Sequence, residues 1–548
     1  SRDARASTEG EGDGVPPVSD EQRVSRSGRA LFALSGLVAA AVGLGVAELS
    51  TSVNRAWRSP VEVVAEVVID RAPQSITHFG IELFGRNDKK ALVIGILVTL
   101  TIVGLVVGAL SRRRPVVGDI AFGAFAVVGA GAALQVANAP LSAVIPSLIA
   151  GGLGAVTLRF LRARLLNVEA ARAEKPVSDE TTGQPMAEPV GGTSRRTFLA
   201  LTGAMVALAG VAAAGGRALR DRFSAADSRN NLVLPAPDET APPITDAYSV
   251  DVEGMTPFRT SNADFYRIDT ALTVPQVPVE GWELEVKGMV DESLRLTFDE
   301  LVAFGLVEAD VTMTCVSNRV GGELIGNARW LGVPVQRLLD EVGVDPEADQ
   351  LVGRSVDGYT CGFPVSAVGD GRTCLVAVGM NGEPLPLEHG FPARLVTAGL
   401  YGYISATKWL TEIELTTFDA FDSYWVPRGY ADRAPIKTEC RIDVPRTGEP
   451  VPAGPQSIAG VAWAQTRGIQ RVEVKVDDGP WQEAELADAL TDETWRQWRI
   501  DWDAQPGSPR IMCRATDGDG ELMTEERSEP LPDGATGWQS KLVIVSAA

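Results

Sequence analysis

Cys315 and His389 are the side chains in this sequence with the most chemistry to offer. Cys315 stands in Thr312-Met313-Thr314-Cys315-Val316-Ser317-Asn318-Arg319-Val320-Gly321-Gly322, and His389 in Glu388-His389-Gly390-Phe391-Pro392-Ala393-Arg394. The chain holds only five cysteines and two histidines. One thiolate and one imidazole cannot complete a four-ligand zinc site. They can serve a cofactor that carries its own donor atoms and takes one sulfur from the protein. A thiolate is a strong sulfur donor, and sulfur donation tunes the potential of the metal it binds. In isolation, a lone cysteine is a small buried apolar residue, and a lone histidine is a satisfied core group.

The neighbouring blocks change that reading. Phe265-Tyr266-Arg267, Gly326-Asn327-Ala328-Arg329-Trp330, Val378-Gly379-Met380-Asn381-Gly382-Glu383-Pro384-Leu385-Pro386, the His389 block and Ala406-Thr407-Lys408-Trp409-Leu410 follow in order. From about Asn262 to the C-terminus the chain resembles the molybdopterin domain of the sulfite oxidase family. The resemblance implies an oxidoreductase with a molybdenum–molybdopterin cofactor whose metal is ligated by Cys315. It also implies cofactor contacts from Phe265, Tyr266, Arg267, Asp357, His389, Arg394, Ala406, Thr407 and Lys408. The pterin's phosphate is a dianion, so Arg394 and Lys408 are sensible fixed cations for it. Arg267, Trp330 and Tyr430 match the family's substrate-pocket positions and, with Cys315, form the expected catalytic set. An arginine could hold an oxyanion, and a phenol could donate or pass a proton. Two further pocket arginines of the family are replaced, one by Val320 and one by Leu531 or Pro532. Fewer cations weaken the attraction for a dianion such as sulfite.

These residues need a scaffold. Trp282-Glu283-Leu284-Glu285-Val286-Lys287 alternates as a strand. Leu294 to Phe304 runs from strand into a short helix with Thr297 as N-cap, and Val335 to Val342 reads as another short helix. The mixture predicts an α+β domain over 261–440. Beyond a proline-rich crossing, Val472, Val474 and Val476 alternate, Asp478-Gly479 turns, and the run from Trp481 to Leu486 returns, a hairpin pattern. Arg510 to Ala515 and Lys541 to Val545 add strands. Residues 441–548 are therefore expected to form an all-β, immunoglobulin-like sandwich. In relatives this domain mediates homodimers.

The first half reads differently. Apolar runs occur at about 30–49, 91–110, 120–137, 140–158 and 198–216, and roughly 20 residues cross the hydrocarbon core. The expected order is a disordered cytoplasmic tail (1–29), a four-helix transmembrane region (30–160), a cytoplasmic linker (161–196), a fifth transmembrane helix (197–217) and an outer linker (218–260). A short amphipathic helix is expected around Val61–Ile69. Gly104 and Gly108 offer a small-residue packing face. Arg23, Arg26 and Arg29, then Arg112, Arg113 and Arg114, then Arg159, Arg162 and Arg164 flank alternate ends of the runs, which places the N-terminus inside. Ser194-Arg195-Arg196-Thr197-Phe198-Leu199 resembles an internal twin-arginine export signal. That route carries folded cargo, which suits a domain loaded with cofactor in the cytoplasm. The chain is thus expected to be multi-pass in the cell membrane, with the catalytic half extracytoplasmic.

Charge agrees with this division. Residues 1–220 hold 23 Lys and Arg against 18 Asp and Glu, whereas residues 221–548 hold 27 against 53. The acidic half excludes nucleic acid as its partner. Five cysteines (315, 361, 374, 440 and 513) are too few for a disulfide scaffold. Cys361 and Cys374 could pair, with buried free thiols as the alternative. No haem, iron–sulfur or nucleotide site is apparent: His78 alone cannot supply two axial ligands, and no cysteine cluster or glycine-rich fingerprint occurs. Electrons must therefore pass to a separate carrier: a cytochrome c, a quinone or a membrane subunit. Further expected partners are the lipid bilayer, the twin-arginine translocase during export and a small-molecule substrate. The sequence points to oxygen-atom transfer on a small sulfur compound. The reverse reaction on sulfoxides, and an inactive membrane docking protein with the same fold, remain as alternatives.

Overall fold

The computed structural model of the chain describes residues 20–73, 76, 83–84, 88–136, 139–173 and 195–547. His78, Ser194 and residues 1–19 lie outside the described residues. The chain forms two compact units, Ser1–Arg222 and Phe223–Ala548.

The first unit contains helices α1 (Asp20–Ser50), α2 (Pro60–Arg71), α3 (Asp88–Ser111), α4 (Val116–Ala133), α5 (Ile145–Ala173) and α6 (Arg195–Arg220). Among the described residues, five helices are long and apolar enough to cross a membrane. Helix α2 is the short one, opened by a Ser59–Glu62 capping box with Pro60 at its first turn. The expected boundaries shift at two places. Helix α1 starts at Asp20, inside the stretch expected to be a tail, because Glu21, Gln22 and Arg23 are good helix formers leading into the apolar run. Helix α5 runs on to Ala173 through the stretch expected to be a linker. Leu161, Leu165 and Val168 continue its buried stripe at helical spacing.

Helix α1 is central and packs on α3, α5 and α6. Small residues permit this. A Cβ on Gly36 would lie 2.0 Å from the Gly104 carbonyl oxygen and 2.6 Å from the Gly108 nitrogen, so the expected Gly104–Gly108 face does meet another helix. The outward side of α3 presents Ile94, Val98, Ile102 and Val106. Phe32, Leu161, Leu165 and Phe198 form one buried cluster, and Arg112 stands over the Phe32 ring at 5.7 Å. The start of α1, the end of α3, the second half of α5 and the start of α6 therefore share one end of the bundle.

The second unit begins with a mixed α+β region. One sheet has the order β2-β1-β10-β5-β6, from β1 (Glu283–Gly288), β2 (Leu294–Thr297), β5 (Gln350–Ser355), β6 (Thr360–Pro364) and β10 (Leu410–Thr416). Strands β1 and β10 run parallel, and the other neighbours are antiparallel. The other sheet has the order β3-β4-β7-β8, from β3 (Val307–Thr314), β4 (Ile325–Pro334), β7 (Cys374–Met380) and β8 (Glu383–Pro384), with β9 (Arg394–Thr397) also on β7. All seven residues of β7 are buried, as expected of a strand covered on both faces. The helix α7 (Phe298–Val302) carries the expected Thr297 cap, closed as a box with Glu300. Helix α8 (Val335–Val342) buries Val335, Leu338, Leu339 and Val342 at 3–4 spacing.

The C-terminal region is β-rich. Strands β11 (Glu439–Val444), β13 (Gly454–Trp463), β16 (Glu485–Leu486) and β17 (Arg496–Ala504) form one antiparallel sheet in the order β11-β13-β17-β16. Strands β14 (Ile469–Val476), β15 (Gln482–Glu483), β18 (Arg510–Asp517) and β19 (Gln539–Leu542) form another, β15-β14-β18-β19. A short parallel pair, β12 (Val451–Pro452) and β20 (Val545–Ser546), stands apart. The expected hairpin is present but brief, with Val474 opposite Gln482. One apolar core joins both sheets. This region also braces the α+β region. The Trp495 amide N–H donates to Thr312 Oγ1 at 2.8 Å, and Gln465 Nε2 donates to the Thr312 carbonyl at 2.9 Å. Strand β3 is thereby held just before Cys315.

Candidate functional site

Strand β3 buries its last five residues, and the chain then turns. The Cys315 N–H donates to the Leu324 carbonyl at 2.9 Å, and Asn318 Oδ1 accepts from the Leu324 N–H at 2.9 Å. The loop closes on itself and holds the thiol at the floor of a cleft. Cys315 is only 7% exposed. Burial raises its pKa, while hydrogen bonds from Ser317 and the charge of Lys408 oppose that rise. Two donors at the sulfur and a nearby cation offset part of that rise. Ser317 also hydrogen bonds with the Tyr430 phenol, which is raised above its ordinary pKa by burial and then by Cys315. Cys315, Ser317 and Tyr430 are thus one connected group.

The cleft has a volume of about 100 Å³ and opens to solvent. Arg394 opens strand β9 and lines this cleft at 3% exposure. Its Nη1 donates to the His389 carbonyl at 3.1 Å, and its guanidinium lies over the Trp330 ring at 5.1 Å. Among the described residues no carboxylate lies within ion-pair distance of it. Burial lowers its pKa to about 10. Lys408 donates to the Glu388 carbonyl at 3.0 Å and faces Asp269 at 3.5 Å. Burial lowers it to about 8, against the pull of Asp269. Gly390, at φ +109°, makes the left-handed turn that brings His389 and Lys408 together.

His389 lies 3.0 Å by its Nε2 from the Asn262 carbonyl. A carbonyl only accepts, so Nε2 carries the proton and Nδ1 is a bare acceptor. That Nδ1 is buried with no hydrogen-bond partner. Burial, with Lys408 and Arg394 adding to it, lowers the imidazole to about 3, so it is neutral at ordinary pH. A buried cation without a counter-ion and an orphaned acceptor both point to a missing partner. An anion that also carries N–H donors satisfies both, and a pterin phosphate has that composition. Among the described residues no three His, Cys, Asp or Glu side chains converge as a metal site. The donor set therefore fits a metal group that brings ligands of its own.

The other expected residues divide by position. Phe265, Tyr266, Asp357 and Ala406 line the cleft with Cys315, Arg394 and Lys408. Tyr266 stacks on Phe265 at 5.1 Å, and burial raises its phenol well above the ordinary range. Arg267 is paired with Asp269 at 2.9 Å and its side chain is 43% exposed, so it stands outside the cleft lining. Trp330 is 0% exposed and lies beneath Arg394, positioned to support that side chain and not to touch a substrate. Thr407 points into the core, donating to the Gly353 carbonyl and to Cys361 Sγ at 3.1 and 2.9 Å.

Sequence reasoning did not single out Asp269, Ser317, Tyr359 or Tyr403. Ser317 had a local signal, a hydroxyl two residues beyond the thiol in a turn. Asp269 had another, a carboxylate two residues after Arg267. The tyrosines had none. Tyr359 Oη donates to the Tyr403 carbonyl, and Tyr403 Oη donates to the Ala431 carbonyl, each at 2.6 Å. The Tyr403 and Tyr430 rings lie 5.4 Å apart, so three segments distant in sequence build this phenolic wall.

Comparison with known proteins places this geometry. The family model for the oxidoreductase molybdopterin binding domain matches residues 271–425. Mitochondrial sulfite oxidase of Mus musculus is 31% identical over 297 residues, 45% of this chain and 54% of that protein. The chain thus spans about half the length of that relative. The uncharacterized oxidoreductase YuiH of Bacillus subtilis (strain 168) is 35% identical over 149 residues, 27% of this chain and 72% of that one. The crystal structure of the sulfane dehydrogenase SoxCD from Paracoccus pantotrophus aligns with a TM-score of 0.46 at 22% identity, over 56% of this chain and 86% of that one. With the molybdopterin model over the cleft and a relative matched across most of its length, the chain belongs to the sulfite oxidase family of molybdopterin-dependent oxidoreductases.

Proposed function

We propose that this chain is a membrane-anchored oxidoreductase that transfers an oxygen atom between water and a small sulfur compound, with its catalytic half outside the cytoplasm. One observation carries the reading. A buried thiol shares a cleft with a buried arginine that, among the described residues, has no carboxylate partner, and that arginine is bonded to a histidine whose buried acceptor has no donor. When bound, the molybdenum cofactor supplies two-electron oxygen-atom exchange. Cys315 would hold the metal through Sγ, Arg394 and Lys408 would hold the phosphate, and His389 Nδ1 would accept from a pterin N–H. Tyr430, coupled through Ser317, would hold or move the proton released as water is consumed. The wall of Tyr359, Tyr403 and Trp425 would restrict solvent around the reacting atoms.

A second reading, reduction of uncharged sulfoxides, is supported by the cation inventory. With Arg394 and Lys408 assigned to phosphate and Arg267 paired to Asp269, the cleft lining offers no further cation for a dianion. Electrons would pass to a separate carrier, and the acidic catalytic half favours a basic one. The two sheets of the C-terminal region suit an immunoglobulin-like assignment, with homodimerisation through it as a further proposal.

Metal analysis of protein made in a cofactor-competent host tests the core of this proposal. About one molybdenum per chain is expected, held by a protein sulfur visible to X-ray absorption. Cys315→Ser should lose at least ~100-fold in turnover while the circular dichroism spectrum is unchanged. Sulfite with cytochrome c, then a sulfoxide with a reduced dye, assigns the direction. Full activity in the Cys315→Ser protein would overturn the ligand assignment.

A further inference from the structure

The C-terminal region contains two of the five thiols, and they belong to different sheets. Cys440 lies on β11 and Cys513 on β18. Both side chains enter the same core, at 1% and 0% exposure. Facing sheets ordinarily stand about 10 Å apart. Here Cα atoms of β11 and β18 approach within 8 Å, and Cys513 is close enough to act on the Cys440 thiol electrostatically. Trp498, fully buried on β17, stands against Cys440. A disulfide needs Cα atoms within about 7 Å, and β11 and β18 are the strands of the two sheets that carry a buried cysteine each into this core.

The remaining thiols are otherwise engaged. Cys361 accepts from Thr407 Oγ1 at 2.9 Å, and Cys374 hydrogen bonds with Thr397 Oγ1 at 3.3 Å. Cys315 belongs to the cleft. Cys361 and Cys374, for which the sequence left pairing and buried free thiols open, are both buried and free.

We infer that Cys440 and Cys513 form an intersheet disulfide when the chain meets an external disulfide oxidant. The Cys440 or Cys513 thiolate attacks the external disulfide and releases one thiol, giving a mixed disulfide. The second cysteine displaces the other thiol and closes the bond between Cys440 and Cys513. Two protein thiols lose two protons and two electrons, and one external disulfide becomes two thiols. Burial and the neighbouring sulfur keep the Cys440 thiol protonated, so the exchange is slow in the folded protein in both directions. The bond ties β11 to β18, closing the chain between residues 440 and 513. Strand β11 follows directly on the 430–438 segment that bears Tyr430, so the tie also firms the frame behind the cleft. The cross-link depends on neither the cofactor nor the side of the membrane.

The test uses the purified full-length protein, divided between bis(2-hydroxyethyl) disulfide and a phosphine reductant. Each half is denatured in iodoacetamide, digested and mapped by mass. In the oxidised half, the peptides bearing Cys440 and Cys513 should be joined at about 2 Da below their summed mass. Cys315, Cys361 and Cys374 should carry the alkyl label. The oxidised protein should melt roughly 5 °C above the reduced one, and Cys440→Ala should abolish that gap. Alkylation of both Cys440 and Cys513 after oxidation, or a bond from either to another cysteine, overturns the inference. So does a melting gap that persists in Cys440→Ala. The peptide map on the unmodified chain decides the matter even where the variant fails to fold.

Discussion

At the scale of single residues, the site is defined by groups that the fold alone would not choose. Arg394 is buried, carries its charge against no carboxylate among the described residues, and rests on Trp330. Such a cation is costly without a ligand and valuable with one. Arg394→Met should therefore raise the melting temperature of the cofactor-free protein by a few degrees while abolishing molybdenum retention. A purely structural arginine would lower it. Glu439 poses the same problem outside the cleft. It is 3% exposed, and neither carboxylate oxygen has a hydrogen-bond partner. Lys437 and Arg441 lie near but pair with Asp533 and Asp443 at 2.9 and 2.6 Å. Burial raises Glu439 from 4.5 to about 8. The folded state keeps the proton that the unfolded state releases, so this group's stabilisation is complete below pH 4.5 and is lost as pH rises through about 8. Glu439→Gln should remove that slope. Chemical denaturation at pH 5 and pH 8.5 would show the variant gaining on the native protein at the higher pH.

At the scale of elements, glycine placement decides the helical bundle. A side chain at Gly36 meets the α3 backbone at 2.0 Å, whereas one at Gly95 meets nothing within 4 Å. Gly36→Leu should cost more than about 2 kcal/mol, read as lost thermal stability in detergent. Gly95→Leu should change little, and equal losses in the two would contradict the packing described. Several elements were legible because their signals are local. The Thr297–Glu300 box, the 3–4 stripe of α8 and the small-residue face of α3 each lie within a dozen residues. The extent of α5 was not, because its final turns replace an apolar run with a one-sided stripe among arginines. The brevity of the β14–β15 hairpin escaped for a different reason: the returning chain crosses to the opposite sheet, a decision made by tertiary packing. The cleft followed the same rule. Cys315, His389 and Arg394 stood out through motif blocks, whereas the Tyr359–Tyr403–Tyr430 wall and the Cys440–Cys513 approach join segments about 30 to 70 residues apart that share no local pattern.

At the scale of the molecule, a weakly basic helical half precedes a strongly acidic catalytic half, and the proposed export would be decided at the junction between them. Helix α6 begins at Arg195, leaves Arg196 exposed, and buries Phe198 against Phe32, Leu161 and Leu165. Once the bundle is assembled, the phenyl ring of the export-like motif is hidden in it. A signal of this kind is readable before α6 docks and unreadable afterwards, which suits a single passage of a folded, cofactor-loaded domain. Under the proposed topology the first four apolar helices would need no such signal, since ordinary insertion would follow their basic flanks. The two routes can therefore be separated in one chain. Substituting both arginines (Arg195→Lys with Arg196→Lys) keeps every positive charge and removes the guanidinium pair. Protease added to intact spheroplasts should degrade the catalytic half of the native protein. It should leave that half protected in the double variant, with the helical half inserted equally in both. Equal degradation in the two proteins would show that retained positive charge suffices, and that α6 enters the membrane as an ordinary helix.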